Sequence, residues 1–157
     1  MENNLAKRVV TYLIERSLRL AVAESCTGGQ LAASFTAIPG VSACFMGGVV
    51  AYHNRVKETL LSVPTHMINT YGAVSEPVAI AMAKGAAQAM HADVAVSTTG
   101  IAGPGGGMPD KPVGTVWFGW QFGELTGAKK CLFSGTRDQI QRQAVIEAHK
   151  ILLEIVV

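Results

Sequence analysis

Charge is scarce in this chain. Of its 157 residues, 13 are Lys or Arg and 11 are Asp or Glu, for a net charge of +2. A nucleic-acid footprint needs clustered Lys and Arg on a strongly basic domain, so that class of partner is excluded. Disordered chains combine high charge with low hydrophobicity, the reverse of the 15% charged and 49% apolar residues here. Cysteine is sparse as well. Cys26, Cys44 and Cys131 are odd in number and widely spaced, with no CxxC pair, which argues against a disulfide framework and a cysteine-held zinc. His53, His66, His91 and His149 follow no HExxH or comparable spacing, so neither a metal nor another cofactor is expected.

A long uninterrupted apolar run is also missing. The stretch from Ser25 to Asn54 holds no Lys, Arg, Asp or Glu and exceeds the ~20 residues of a spanning helix. Gly28, Gly29, Gln30, Pro39, Gly40, Ser42, Gly47 and Gly48 interrupt it, so it reads as two buried elements joined by turns. The N-terminal run, with Lys7, Arg8 and Glu15, has no signal-peptide core. The expectation is a cytoplasmic protein with no membrane partner. No repeat, linker or low-complexity segment divides the chain, and a single domain over residues 1–157 is expected.

What is abundant is periodic apolar sequence punctuated by glycine. Leu5, Val9, Leu13 and Ile14 recur at helical spacing, and the helix is expected to end near Arg16–Ser17. Strands are expected at Leu18–Ala23, Cys44–Tyr52 and Asp93–Thr99, the last apolar enough for a sheet centre, with Gly47-Gly48 marking a bulge or close approach. Helices are expected over Gln30–Ala37, from a capping Asn54 to Leu61, from Pro64 to about Gly72, and from a Ser75 cap through Pro77 to Met90. Thr115–Phe122 and Lys129–Phe133 read as strands of a hairpin joined by residues 123–127, and Arg137–Ile155 as an amphipathic helix. Strands alternating with helices imply an α/β fold: three layers, helix–sheet–helix, around a mixed, mostly parallel sheet with an antiparallel hairpin near the C-terminus.

Three loops follow strands: Glu24–Gly29, Tyr52–Lys57 and Thr99–Gly107. Ligands of open α/β sheets bind beyond the carboxyl ends of strands, so a site is expected there. In Glu24-Ser25-Cys26-Thr27-Gly28-Gly29, backbone amides at a helix start suit a phosphate or an oxyanion, although an ordinary capped turn has the same composition. Ser25 is a candidate nucleophile that needs a base, and Cys26 is a rival. The glycine-rich run at 99–107 is neither a Walker A loop nor a dinucleotide fingerprint, and its entropic cost points to a need for backbone access. Tyr52, Asn54 and Lys57 are positioned to line a site. His53 is a further candidate base, and nothing in the sequence pairs it with Ser25.

Taken in order, Ala-Glu-Ser-Cys-Thr-Gly-Gly at 23–29, the segment 52–57, Gly72-Ala73-Val74-Ser75, Thr-Gly-Ile-Ala-Gly-Pro-Gly-Gly-Gly at 99–107 and Lys-Pro-Val-Gly-Thr-Val at 111–116 resemble the CinA C-terminal domain family over nearly the whole chain. The resemblance is to the stand-alone form, without the extra N-terminal domain of longer members. It implies a nicotinamide-nucleotide (NMN) amidohydrolase, which converts NMN and water to nicotinic acid mononucleotide and ammonia. It also implies a homo-oligomer whose partner is a small-molecule nucleotide.

By motif, Ser25 matches the family's nucleophile, with Lys57 and Tyr52 as supporting catalytic residues. Thr27, Gly28 and Gly29 are then expected to offer amides to an oxyanion. Asn54, Thr99, Gly100, Gly103, Arg137 and Gln141 are expected on the substrate, with the glycine loop on its ribose phosphate. The pattern departs from the family at Gly135-Thr136-Arg137-Asp138-Gln139-Ile140-Gln141: Gln141 stands where a second arginine is expected, and a charged, bidentate donor to phosphate is replaced by a neutral one. A nucleotide-binding paralogue with weak or no hydrolysis therefore stays open, and so does a non-catalytic interaction protein, whose surplus of apolar residues would form a subunit interface.

Overall fold

The structure is a computed structural model that describes residues 2–157. In chain order its elements are α1 (Glu2–Glu15), β1 (Leu20–Glu24), α2 (Gln30–Thr36), a 3-10 turn (Val41–Ala43), β2 (Phe45–Val50), α3 (Asn54–Leu61), α4 (Thr65–Tyr71), α5 (Glu76–Met90), β3 (Val94–Gly100), β4 (Thr115–Phe122), β5 (Leu125–Leu132) and α6 (Arg137–Val156). The five strands form one sheet in the order β2-β1-β3-β4-β5. β2, β1 and β3 are parallel, β4 runs antiparallel to β3, and β5 antiparallel to β4. Only β4 therefore runs against the others, and the sheet is mixed but mostly parallel.

The two faces of the sheet are built from side chains of different size. Because successive strand residues point to opposite faces, Leu20 and Val22 of β1, Val94 and Val96 of β3 and Val116 and Phe118 of β4 pack against α1, α2 and α6. Ala21, Ala23 and Ala95 face α5, which is flanked by α3 and α4. Small residues on this second face let α5 lie close to the sheet. A Cβ on Gly119 of β4 would overlap the Ala79 carbonyl of α5, and Ser97 Oγ donates to that same carbonyl at 2.6 Å. The alanine-rich composition of α5 thus follows from a short helix–sheet distance, and bulky substitution there would overpack the layer.

Local differences from the sequence reading have local causes. The hairpin is tighter than expected: β5 begins at Leu125, paired with Phe122, so the turn is Gly123-Glu124 alone. Gly123 adopts φ +60°, the left-handed conformation that lets two residues reverse the chain. In β2 the register slips between Leu20 and Ala21, which pair with Phe45 and Gly47 and leave Met46 as the bulged residue. Asn54 is the first residue of α3 and not its cap. His53 takes that place, its Nδ1 accepting from the Arg55 amide at 3.1 Å. Ser75 sits at the N-cap of α5, but its hydroxyl bonds back to the Gly72 carbonyl at 2.8 Å. Among the described residues, no helix is long and apolar enough to cross a membrane.

Candidate functional site

The parallel arrangement of β1, β2 and β3 brings their carboxyl ends to one edge of the sheet, and the three loops leaving them meet there. Between them lies a cleft of about 320 Å³. Ser25 and Cys26 line it from the β1 loop, Tyr52, Asn54 and Lys57 from the start of α3, and Thr99, Gly100 and Gly103 from the end of β3 and its loop. Arg137, the first residue of α6, closes one side. Eight of the residues expected from the sequence are thus brought together. Thr27, Gly28, Gly29 and Gln141 are not among the lining residues.

At the floor of the cleft, Lys57 Nζ lies 3.0 Å from Ser25 Oγ, 2.9 Å from the Ala51 carbonyl and 3.3 Å from the Tyr52 carbonyl. Lys57 is 1% exposed, and burial pushes its pKa below the ordinary lysine value, with the neighbouring Cys26 opposing the shift. A neutral amine has two hydrogens and one lone pair. Two hydrogens on two carbonyls leave the lone pair directed at the Ser25 hydroxyl, and in the ammonium form all three partners accept. The pair therefore has a satisfied arrangement both before and after a proton passes from Ser25 to Lys57. His53 caps α3 on the exposed surface and takes no part in this contact. Burial raises the Cys26 thiol to about 12, which removes its thiolate at neutral pH and with it the rival nucleophile.

The turn that carries Ser25 is held from beneath by Glu24, a residue the sequence reading passed over. Its carboxylate is 1% exposed and, among the described residues, has no cation in ion-pair range. It accepts instead from Thr27 Oγ1 at 2.6 Å and from the amides of Gly29, Leu31 and Ala32 at 3.2, 2.9 and 2.9 Å, the first turn of α2. Thr27 Oγ1 also meets Thr98 Oγ1 at 2.7 Å, which ties the turn to β3. A carboxylate with four donors is stable when buried, whereas an unpaired one is not. A charged residue ending an apolar strand, three positions before a threonine, was the signal available in the sequence.

This network corrects the expectation for Thr27, Gly28 and Gly29. The Gly28 amide donates to the Ser25 carbonyl at 3.1 Å and the Gly29 amide to Glu24, so neither is free for an oxyanion. Among the described residues no other residue accepts from the amides of Cys26 and Thr27, and Cys26 is the one that lines the cleft. The expectation for Gln141 changes as well. It does not face the cleft, and its Nε2 donates to the Cys26 carbonyl at 2.9 Å.

Besides the buried Lys57, the basic residue lining the cleft among the described residues is Arg137. Its guanidinium donates to the Gly103 carbonyl at 2.7 Å and to the Tyr52 hydroxyl at 2.8 Å. Arginine cannot accept, so the Tyr52 hydroxyl keeps its own hydrogen for another partner. Among the described residues Arg137 has no carboxylate in ion-pair range. The glycine loop is held as much by protein as it is open to a ligand. Gly103 has φ +79° and lies against Val113, while the Gly105 Cα faces open space and Gly106 also lines the cleft. Thr99 Oγ1 is spent on the Ala73 carbonyl at 2.9 Å, which brings residues 73 and 74 to the cleft wall. Among the described residues no group of three or more His, Cys, Asp or Glu side chains gathers where a metal ion could be held.

Comparison with known proteins gives a consistent result. The family model described as the CinA C-terminal domain matches residues 2–156. A CinA-like protein of Akkermansia muciniphila is 49% identical over 140 residues, 88% of this chain and 34% of that protein. One from Chlorobaculum tepidum is 56% identical over 118 residues, 75% of this chain and 28% of that protein. The chain thus spans about a third of the length of these curated relatives. Among solved structures, a CinA superfamily protein from Klebsiella pneumoniae superposes with a TM-score of 0.96 at 36% identity, covering 99% of this chain and 98% of that one. One from Escherichia coli does so with a TM-score of 0.95 at 37% identity, covering 99% and 90%.

Proposed function

Since the chain belongs to the CinA C-terminal domain family, we propose that it is a serine–lysine amidohydrolase acting on a nicotinamide nucleotide, with NMN as the substrate. The observation that carries this reading is the 3.0 Å contact between Ser25 Oγ and a buried Lys57 Nζ at the floor of a cleft. Lys57 takes the Ser25 proton, and Oγ attacks the carboxamide carbon of the nicotinamide. The resulting oxyanion lies within reach of the unspent Cys26 amide, the residue after the nucleophile, and each such donor supplies ~3–4 kcal/mol in acyl-transfer enzymes. The Lys57 ammonium returns its proton to the leaving nitrogen, ammonia departs, and a nicotinoyl ester remains on Ser25. Water then attacks this ester with Lys57 again as base, and nicotinic acid mononucleotide is released. Every proton is handled by residues of this chain.

Arg137, a cation in the cleft with no carboxylate partner, suits the phosphate, and the Gly105–Gly106 segment beside it offers backbone amides. Tyr52, whose hydroxyl meets Arg137, and Asn54 are further polar groups lining the cleft, with the Tyr52 hydroxyl hydrogen available to the substrate. In this reading the protein works in the cytoplasm as a homo-oligomer, without a metal or cofactor. The binding-only alternative was motivated by the missing charge at position 141. Gln141 is not among the residues lining the cleft, whereas Arg137 is, so in this reading Arg137 meets the phosphate. The test is incubation of purified protein with NMN and measurement of ammonia. Turnover that disappears in Ser25→Ala supports the reading, and no release above the Ser25→Ala control overturns it.

A further inference from the structure

The polar chain behind the cleft carries one more assignment. From α2, Gln30 Nε2 donates to Gln141 Oε1 at 3.0 Å, and from α6, Gln141 Nε2 donates to the Cys26 carbonyl at 2.9 Å. A carbonyl can only accept, so the amide end of Gln141 that faces Cys26 must be its NH2, and the Gln30 donor holds it in that orientation. Cys26 is then pinned at both of its peptide planes. The plane before it is fixed by the Gly28 amide on the Ser25 carbonyl, and the plane after it by Gln141. In a trans peptide the N–H points opposite to its C=O, so the direction of the Cys26 N–H is set by the first plane. The second plane is the central peptide of the same Ser25–Gly28 turn, and the Gln141 bond resists its rotation.

We propose that Gln141 is a positioning residue, oriented by Gln30, that holds the Ser25–Thr27 turn from α6 so that the Cys26 amide stays aimed at the reacting oxygen. This rests on the hydrolase reading above. It gives Gln141 a role that needs a hydrogen-bond donor and no charge, and it makes the junction of α2 and α6, outside the cleft, part of what sets the rate.

The test compares Gln141→Ala, Gln141→Glu and Gln141→Arg in steady-state hydrolysis of NMN, with thermal unfolding of each. Loss of the donor lowers kcat by about 10²-fold in Gln141→Ala, with KM within about two-fold, because the donor it aims acts on the oxyanion and not on the bound amide. Gln141→Glu, whose carboxylate faces a carbonyl, loses at least as much, whereas Gln141→Arg keeps a donor and most of the rate. Gln30→Ala gives a smaller fall of the same kind. Unchanged kcat in both the Ala and the Glu variants overturns the assignment, as does a rise in KM alone or a loss that follows stability across the series. If the wild-type protein does not hydrolyse NMN, the hydrolase reading fails separately. The positioning is then decided by NMR of the Cys26 carbonyl and amide in Gln141→Ala: shifted resonances support it, and unmoved ones overturn it.

Discussion

Lys57 and His149 are both buried nitrogen bases, one in each helical layer, and burial lowers the pKa of both. Their surroundings differ. Lys57 Nζ has three oxygen partners, one of them the Ser25 hydroxyl, and it borders a cleft. His149 lies edge-on to Phe35 at 5.1 Å. Its Nε2 is 2.8 Å from Ser34 Oγ, which already donates to the Leu31 carbonyl, so Nε2 carries the hydrogen and Nδ1 is left bare. Among the described residues no partner meets Nδ1. A depressed pKa alone thus does not mark a catalytic base. What separates the two is a nucleophile within hydrogen-bond reach and access for a substrate.

Exchanging the two bases for apolar residues should break this comparison most sharply. Lys57→Met is expected to lower NMN hydrolysis by at least about 10³-fold, with NMN binding by calorimetry retained and stability equal or higher because a desolvated amine is gone. His149→Leu should leave turnover unchanged. Residual Lys57→Met activity within ten-fold of wild type would show that the amine only packs. In the wild type, kcat/KM should rise with pH through a midpoint below the ordinary lysine range, since the base must be neutral. A profile with no such limb would remove Lys57 from that role.

The next effect belongs to His149. Its pKa is lowered from 6.5 to about 4 in the folded protein, so between those values the unfolded chain binds more protons. Stability should be full above about pH 6.5, fall as the pH drops toward 4, and level off below, a total of about 3 kcal/mol. Thermal unfolding as a function of pH measures this, and in His149→Leu the slope over that interval should be smaller, with the depressed Asp93 and Asp138 supplying what is left near pH 4. An equal slope in both proteins would assign the acid loss elsewhere.

The smallest expected effect is on binding. Arg137→Gln should raise KM for NMN by about ten-fold, through loss of a charge-assisted contact to phosphate. It should change kinetics on the riboside that lacks the phosphate far less. Equal losses on both substrates would place Arg137 on the reacting end instead.

Much of the fold was legible in the sequence because its signals are local. The Leu18–Ala23 run, the glycine breaks and the Pro77 start of α5 each report on a few consecutive residues. The hairpin was misjudged by four residues at the start of its second strand. Thr126 and Gly127 look like turn residues, yet they are paired with Gln121 and Trp120. Their strand state is decided by β4, not by their own propensity. Ser25, Tyr52 and Lys57 were named from motifs and line one cleft, while their mutual distance was not legible, because the contact joins residues from different strand ends. Glu24 was missed because a carboxylate in a turn is ordinarily solvated. Only the folded chain turns the first amides of α2 toward it.

By itself, the sequence determined that the chain is a charge-poor α/β protein with glycine-rich loops after its strands, and which residue types those loops could offer. These follow from periodicity and composition, which act over a few residues at a time. The tertiary structure decided which of those groups are free to act. It spent the Gly28 and Gly29 amides on Ser25 and Glu24, left the Cys26 amide unspent, turned Gln141 away from the cleft and Arg137 toward it, and buried Lys57 against Ser25. Hydrogen-bond partners and desolvation depend on neighbours distant in sequence, so only the assembled layers could assign them.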